Sequence, residues 1–391
     1  MSLAAVIYLA DADSRQWALR PVAGMSVLFR MLMTAARTGV AQIGLPRVLA
    51  DEPVLSQIRR HPRLAPVVFS IEHSGVGSDP LLLLPAHGVV DLRSLRTLVE
   101  AGQRGVAAAL EESKGSPAPV LVIAAEQAQA LKERLAAGVP IGEELEGQVR
   151  SGRITLVAGG GYFVAVTDSG SRREAEALLY RHLGTEADSR VDKLINRPCS
   201  GFLTRLLVHL PVTPNQVSLV SLALGLAAAW EFWYATPRSA LLGLLFYLMA
   251  VVADHSDGAL ARLTFQESRL GRWLDVAVDT ASNVLLVLGM AATAGAVSGQ
   301  PMFLAGALAA FGIMMSALVA NFFPPRPNRD RGLGRVLRGI GNRDLFYLVL
   351  ASFIFFLWKV QWLLPHLVGL LAVGSQAYWL SCLVQRKLRG R

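Results

Sequence analysis

The chain has 391 residues, with 38 Lys and Arg against 29 Asp and Glu, a formal net charge of +9. Its 53% hydrophobic content and mean hydropathy of +0.42 exclude an ordinary soluble enzyme, while the frequent charges of the first half exclude a chain buried in lipid throughout. Two cysteines, Cys199 and Cys382, exclude a disulfide framework or a cysteine-built zinc site.

Residues 1–190 read as α/β. The apolar run 3–9 ends at Asp11 and Asp13 with no basic region before it, so no cleavable signal peptide is expected. Strands are predicted at Ala4–Ala10, Ala41–Leu45, Val67–Ile71, Leu81–Pro85, Val120–Ala124 and Ile154–Val157. Helices are predicted at Ser26–Ala36, Arg96–Ala101, Glu126–Ala137 and Arg172–Leu183. That alternation predicts a mostly parallel sheet with helices on both faces. The glycine run Gly159–Gly161 reads as a tight turn.

A linker follows at 191–213. Asn196-Arg197-Pro198 breaks the chain, and Phe202, Leu203, Leu206, Leu207 and Leu210 then form one apolar face with Arg205 and His209 off it. This predicts an amphipathic helix lying on a membrane surface. From 214 to 391 the pattern predicts an all-α membrane domain of six transmembrane helices, at roughly 216–236, 239–261, 273–296, 301–323, 344–360 and 362–384. Arginines gather in the turn 262–272, in the loop 324–343 and in the tail, all on one side of a six-span arrangement. The positive-inside rule then predicts an inner-membrane protein with both termini on the cytoplasmic side. Arginines so placed read as topology signals and lipid contacts rather than as a nucleic-acid surface.

The stretch Asp254-His-Ser-Asp257-Gly258-Ala-Leu-Ala261-Arg262, followed after eight residues by Gly271-Arg-Trp-Leu-Asp275-Val-Ala-Val-Asp279, puts four carboxylates and an arginine beside apolar runs. Charges at membrane depth are costly unless paired, hydrated or bound to metal. Asp254 and Asp257 are spaced i, i+3, and Asp275 and Asp279 i, i+4, so each pair shares a helix face. Two antiparallel helices would bring the acids together around one or two hard divalent cations. Gly258 and Ala261 leave room for a ligand, and Arg262 offers a fork of donors to phosphate oxygens. The arrangement fits phosphoryl transfer at the cytoplasmic face. Acids used for metal transport would spread over several helices at mid-depth, whereas these cluster on two helices near one face.

This stretch resembles the signature of the CDP-alcohol phosphotransferase family, D-x2-D-G-x2-A-R-x8-G-x3-D-x3-D, at all eight fixed positions. The resemblance implies a six-span membrane enzyme, usually a homodimer, that moves a substituted phosphate from a CDP-alcohol to a hydroxyl acceptor and releases CMP. It implies Mg²⁺ or Mn²⁺, commonly two ions, on Asp254, Asp257, Asp275 and Asp279, with Asp279 as the base. It places Gly258, Ala261, Arg262 and Gly271 at the nucleotide, together with Thr213 and Asn215 of a T-P-N element. The first half resembles a sugar-nucleotide nucleotidyltransferase domain at Pro21–Gly24, Leu81–Asp91 and Tyr162–Thr167. It departs at the phosphate loop, which reads Ala10-Asp-Ala-Asp-Ser-Arg15 without glycine, and at His87, which stands where a metal aspartate is expected. A nucleotidyltransferase-like fold without that activity is therefore expected. The order of parts is similar to bifunctional inositol-1-phosphate cytidylyltransferase/di-inositol-phosphate-phosphate synthases, which keeps a bifunctional enzyme as the alternative.

Overall fold

The computed structural model describes residues 3–71, 81–113, 116–123, 147–183, 191–322 and 343–389. The chain divides into two units, Met1–His182 and Leu183–Arg391. The helix expected at 126–137 lies outside the described residues, as does the arginine-rich loop up to 342.

The first unit opens with β1 (Leu3–Tyr8), buried at every position, as a strand covered on both faces must be. There follow α1 (Ser14–Leu19), β2 (Pro21–Val22), β3 (Met25–Ser26), α2 (Val27–Arg37), β4 (Val40–Leu45), α3 (Glu52–Arg60), β5 (Val68–Ile71), β6 (Leu81–Pro85), β7 (Gly88–Val90), α4 (Leu92–Gln103), β8 (Ala108–Ser113), β9 (Ser116–Ile123), β10 (Thr155–Val157), β11 (Phe163–Ala165) and α5 (Ser169–Arg181). Seven strands form one sheet in the order β10-β8-β9-β6-β1-β4-β5. It is parallel except at β9, which runs antiparallel to both β6 and β8. The pair β2–β3 is a hairpin whose central residues, Ala23 and Gly24, both have positive φ, the geometry that matches strand twist. Buried Arg30 fastens this turn, donating from Nε to the Val22 carbonyl (2.8 Å) and from Nη2 to that of Ala23 (2.6 Å).

Chain direction reverses about β1: β4 and β5 extend the sheet one way, and β6 returns to the other side. Ligands of open α/β sheets bind at such switch points, beyond the carboxyl ends of the strands. Asp11 and His87 follow those ends. The Asp11 carboxylate is occupied locally, accepting from the Ser14 backbone N–H (2.6 Å) and hydroxyl (2.7 Å). His87 is 4% exposed, and its Nδ1 has no hydrogen-bond partner among the described residues.

The second unit is helical. A π-helical turn (Asp192–Asn196) runs directly into α6 (Arg197–Leu207), so the expected chain break is absent and Pro198 lies just beyond the π turn. Then come α7 (Pro214–Phe232), α8 (Pro237–Leu263), α9 (Arg269–Ser298), α10 (Phe303–Phe322), α11 (Arg343–Lys359) and α12 (Leu364–Arg389). Among the described residues, four segments are long and apolar enough to cross a membrane: Pro237–Leu263, Arg269–Ser298, Phe303–Phe322 and Gln361–Val384. The other two expected spans are helical but do not reach that standard. α7 has 19 residues and begins with the polar Asn215, Gln216 and Ser218, and the apolar part of α11 is only Leu345–Lys359.

The core of this unit joins Phe232, Tyr247, Leu286, Met290, Phe353 and Leu364. Outward-facing positions carry Leu219, Trp230, Leu241, Leu245, Leu304 and Trp362, the arrangement expected where the surrounding solvent is lipid. Small residues set the spacing of α7 and α9. A Cβ at Gly225 would lie 2.2 Å from the Ser282 Oγ, and one at Gly289 would lie 2.9 Å from the Ala229 carbonyl oxygen.

Candidate active site

α8 and α9 are joined by a short turn. The Thr264 hydroxyl donates to the Leu260 carbonyl (2.8 Å) at the end of α8, and the Ser268 hydroxyl caps α9 by accepting from the Gly271 N–H (2.8 Å). Phe265 between them sits in the left-handed region at φ 58° and is only 7% exposed. A bulky residue pays for that backbone by burying its ring, which fixes the reversal.

The reversal brings Asp254, Asp257 and Asp275 together, each offering an oxygen within 4.8 Å of the others. Asp257 is 4% exposed, and Asp254 and Asp275 are half-buried. Asp279 lies one helical turn further along α9, outside that set of three. Carboxylates packed this closely repel one another as anions. An all-oxygen donor set of this kind fits a hard divalent cation.

A third helix reaches the site. Ser218 on α7 donates its hydroxyl to Asp257 Oδ2. The T-P-N element forms the start of that helix. Thr213 is its N-cap in a reciprocal box with Gln216: the Thr213 N–H donates to Gln216 Oε1 (2.8 Å), and the Gln216 N–H to Thr213 Oγ1 (3.4 Å). Pro214 occupies the first turn, where it is tolerated. Asn215 reaches α9: a Cβ at Gly271 would come 3.3 Å from Asn215 Oδ1 and 3.0 Å from Ser268 Oγ, so a larger residue there would crowd both. The Arg262 guanidinium lies over Gly258, with Nη1 3.5 Å from where a Cβ would stand, and its Nη2 donates to the Leu183 carbonyl (3.3 Å). Ala261 is half-buried on the same helix.

Residues not expected from sequence form a polar cluster around Asp192. His255 Nε2 stands 3.6 Å from Asp192 Oδ1, and His255 Nδ1 is 2.8 Å from the Val251 carbonyl oxygen. Asn196 Nδ2 donates to Asp192 Oδ1 (2.7 Å) and to the Tyr347 hydroxyl (2.8 Å). His255 sits inside the acidic stretch and Ser218 one turn beyond the T-P-N element, but nothing local in the sequence marks either contact. Neither residue type stands out in an apolar helix.

Residues 211–374 match the family described as CDP-alcohol phosphatidyltransferase. That span includes every residue of the acidic stretch. A bifunctional IPC transferase and DIPP synthase of Rubrobacter xylanophilus is 35% identical over 186 residues, 46% of this chain and 39% of that protein. A protein of the same description from Thermococcus kodakarensis is 32% identical over 126 residues, 32% of this chain and 28% of the relative. An archaetidylinositol phosphate synthase of Pyrococcus horikoshii is 31% identical over 87 residues, 22% of this chain and 45% of the relative. The chain thus spans less than half the length of each of these relatives. A solved structure described as a glucose-1-phosphate thymidylyltransferase of Bacillus anthracis aligns with 45% of this chain and 95% of its own at a TM-score of 0.37 and 13% identity.

Proposed function

We propose that the chain is a metal-dependent membrane transferase that moves a substituted phosphate from a CDP-alcohol to a hydroxyl acceptor and releases CMP, in the synthesis of phospholipids or polyol phosphates. The observation that carries this reading is the convergence of Asp254, Asp257 and Asp275 from two helices within a segment that matches the CDP-alcohol phosphatidyltransferase family. These three, with Asp279, would hold Mg²⁺ or Mn²⁺. A divalent cation bound there supplies charge neutralisation for the donor diphosphate.

The rest falls to the chain's own groups. Arg262 presents guanidinium N–H donors to diphosphate oxygens beside the open face of Gly258. Asn215 and Gly271 border the nucleotide at the start of α9, and Thr213 and Ala261 complete that border. Asp279 takes the proton of the acceptor hydroxyl. The acceptor oxygen then bonds to the phosphorus on the alcohol side, and the bond from that phosphorus to the CMP oxygen breaks.

Six helices, α7 to α12, would span the inner membrane, with the N-terminal unit, the C-terminus and the active site on the cytoplasmic side, and with a second copy of the chain as partner. The exposed Phe202 and Leu206 support a membrane-surface position for α6, whose Ser200 and Thr204 face inward. The N-terminal unit would be nucleotidyltransferase-like without that activity.

The test is CMP release from a panel of CDP-alcohols and acceptors by the purified chain with Mg²⁺ or Mn²⁺. Removing several kcal/mol of charge stabilisation predicts that Asp257→Asn or Asp275→Asn lowers the rate on the order of 10³-fold. Full CMP release by either variant would overturn the scheme.

A further inference from the structure

We infer that Ser218 is a positioning residue for the acidic site: its hydroxyl holds Asp257 so that the carboxylate meets a cation through a single oxygen. The inference rests on the metal reading above and deepens it. Ser218 is 4% exposed, and its Oγ has two acceptors within reach, the Pro214 carbonyl at 3.2 Å and Asp257 Oδ2. A hydroxyl has one hydrogen to give. The anionic carboxylate is the stronger acceptor, so the hydrogen goes to Asp257. With Oδ2 engaged by a neighbouring helix, the carboxylate is pinned about its last torsion, beside Asp254 and Asp275.

That constraint has a chemical consequence. Mg²⁺ demands near-octahedral geometry with single carboxylate oxygens, whereas Ca²⁺ accepts bidentate carboxylates and loose shells. A carboxylate tethered at one oxygen favours the smaller ion. Groups behind metal ligands commonly change metal affinity 10- to 100-fold when removed. Ser218 also links the acidic pair to the T-P-N element: the same first turns of α7 touch α9 through Asn215 and α8 through Ser218.

The same helix supplies a control. Ser221, one turn on and 3% exposed, donates to the Ala250 carbonyl of α8 (2.9 Å). It makes an equivalent bond between the same two helices without touching a carboxylate. The experiment is Mn²⁺ binding to the purified full chain by electron paramagnetic resonance, with Mg²⁺ and Ca²⁺ as competitors. Ser218→Ala should weaken Mn²⁺ about 10- to 100-fold and reduce the advantage of Mg²⁺ over Ca²⁺, and Ser221→Ala should change neither. Ser218→Thr, which keeps the hydroxyl, should restore binding where it folds. If Ser218→Ala does not fold, Ser218→Cys, a poor donor of similar size, is read the same way. Binding by Ser218→Ala within about twofold of wild type, or equal losses in the two alanine variants, would overturn the inference. If wild type binds Mn²⁺ and Asp257→Asn does not, the metal reading stands whatever Ser218 does. Failure of wild type to bind Mn²⁺ removes both.

Discussion

The acidic residues differ in their surroundings. Asp257 is buried, and the Ser218 hydroxyl holds its carboxylate in place. Asp279 lies a turn away from the three converging oxygens, and the function proposed above gives it the proton of the acceptor hydroxyl. In the first unit, His87 illustrates the cost of burying a titratable group. Burial holds its pKa below the usual 6.5, with the nearby Asp11 charge opposing the shift. In the unfolded chain the ring protonates near its ordinary value. As pH falls through about 6.5, the unfolded state therefore takes up a proton that the folded state refuses, and stability declines until the folded pKa is reached. Asp11, whose pKa is lowered chiefly by the Ser14 hydrogen bond, loses its contribution only below its ordinary value of 3.8. Of these two groups, His87 is the one that acts between pH 7.5 and 5.5. Hydrogen exchange of residues 81–90 in the full chain, corrected for intrinsic rate, should show protection falling over that range in wild type and not in His87→Gln. An equal fall in both would refute the assignment.

Helices were legible in the sequence where composition and caps agree. α2, α8 and α9 begin at Ser26, Thr236 and Ser268, each of which accepts a backbone N–H with its side chain. The π-helical turn at 192–196 was not legible, because Asn-Arg-Pro signals a break locally and only packing carries the helix through it. Strand β9 was placed, but its antiparallel sense depends on partners distant in the chain. The acid pairs were legible because charge in an apolar run has few explanations. The Ser218 contact was not, since a serine 39 positions from Asp257 carries no local mark. Close helix packing was equally hidden. At Gly225 an added Cβ would sit 2.2 Å from Ser282 Oγ and 2.8 Å from its Cβ. The hydroxyl can rotate away but the Cβ cannot, so α7 and α9 must part. Overpacking of this kind costs about 1–3 kcal/mol. Gly225→Ala should lower the melting temperature of the detergent-solubilised chain and also CMP release, because Ser282 lies three residues beyond Asp279. Gly225→Ala with Ser282→Gly should recover both. A single variant as stable as wild type would show that the helices are not in contact there.

The molecule joins an α/β unit to a helical one, and the question at that scale is whether the chain makes its own CDP-alcohol. The local chemistry of the first unit argues that it does not. Loops that bring backbone N–H groups to a phosphate need glycine for close approach. Residues 10–15 contain none, and Asp11 there spends its carboxylate on Ser14. His87, buried and below its ordinary pKa, is a neutral ring beyond the end of β6, and it offers a hard cation none of the anionic oxygens that a carboxylate would. The relatives described as bifunctional share less than half their length with this chain, so their first activity is not inherited by similarity alone. Purified full chain given CTP, Mg²⁺ and a panel of polyol phosphates should release no pyrophosphate, while the same preparation releases CMP from a supplied CDP-alcohol. Asp275→Asn should abolish the second signal and leave the first at background. Pyrophosphate release that survives Asp275→Asn but is lost in His87→Gln would place a working cytidylyltransferase in the first unit and make the chain bifunctional.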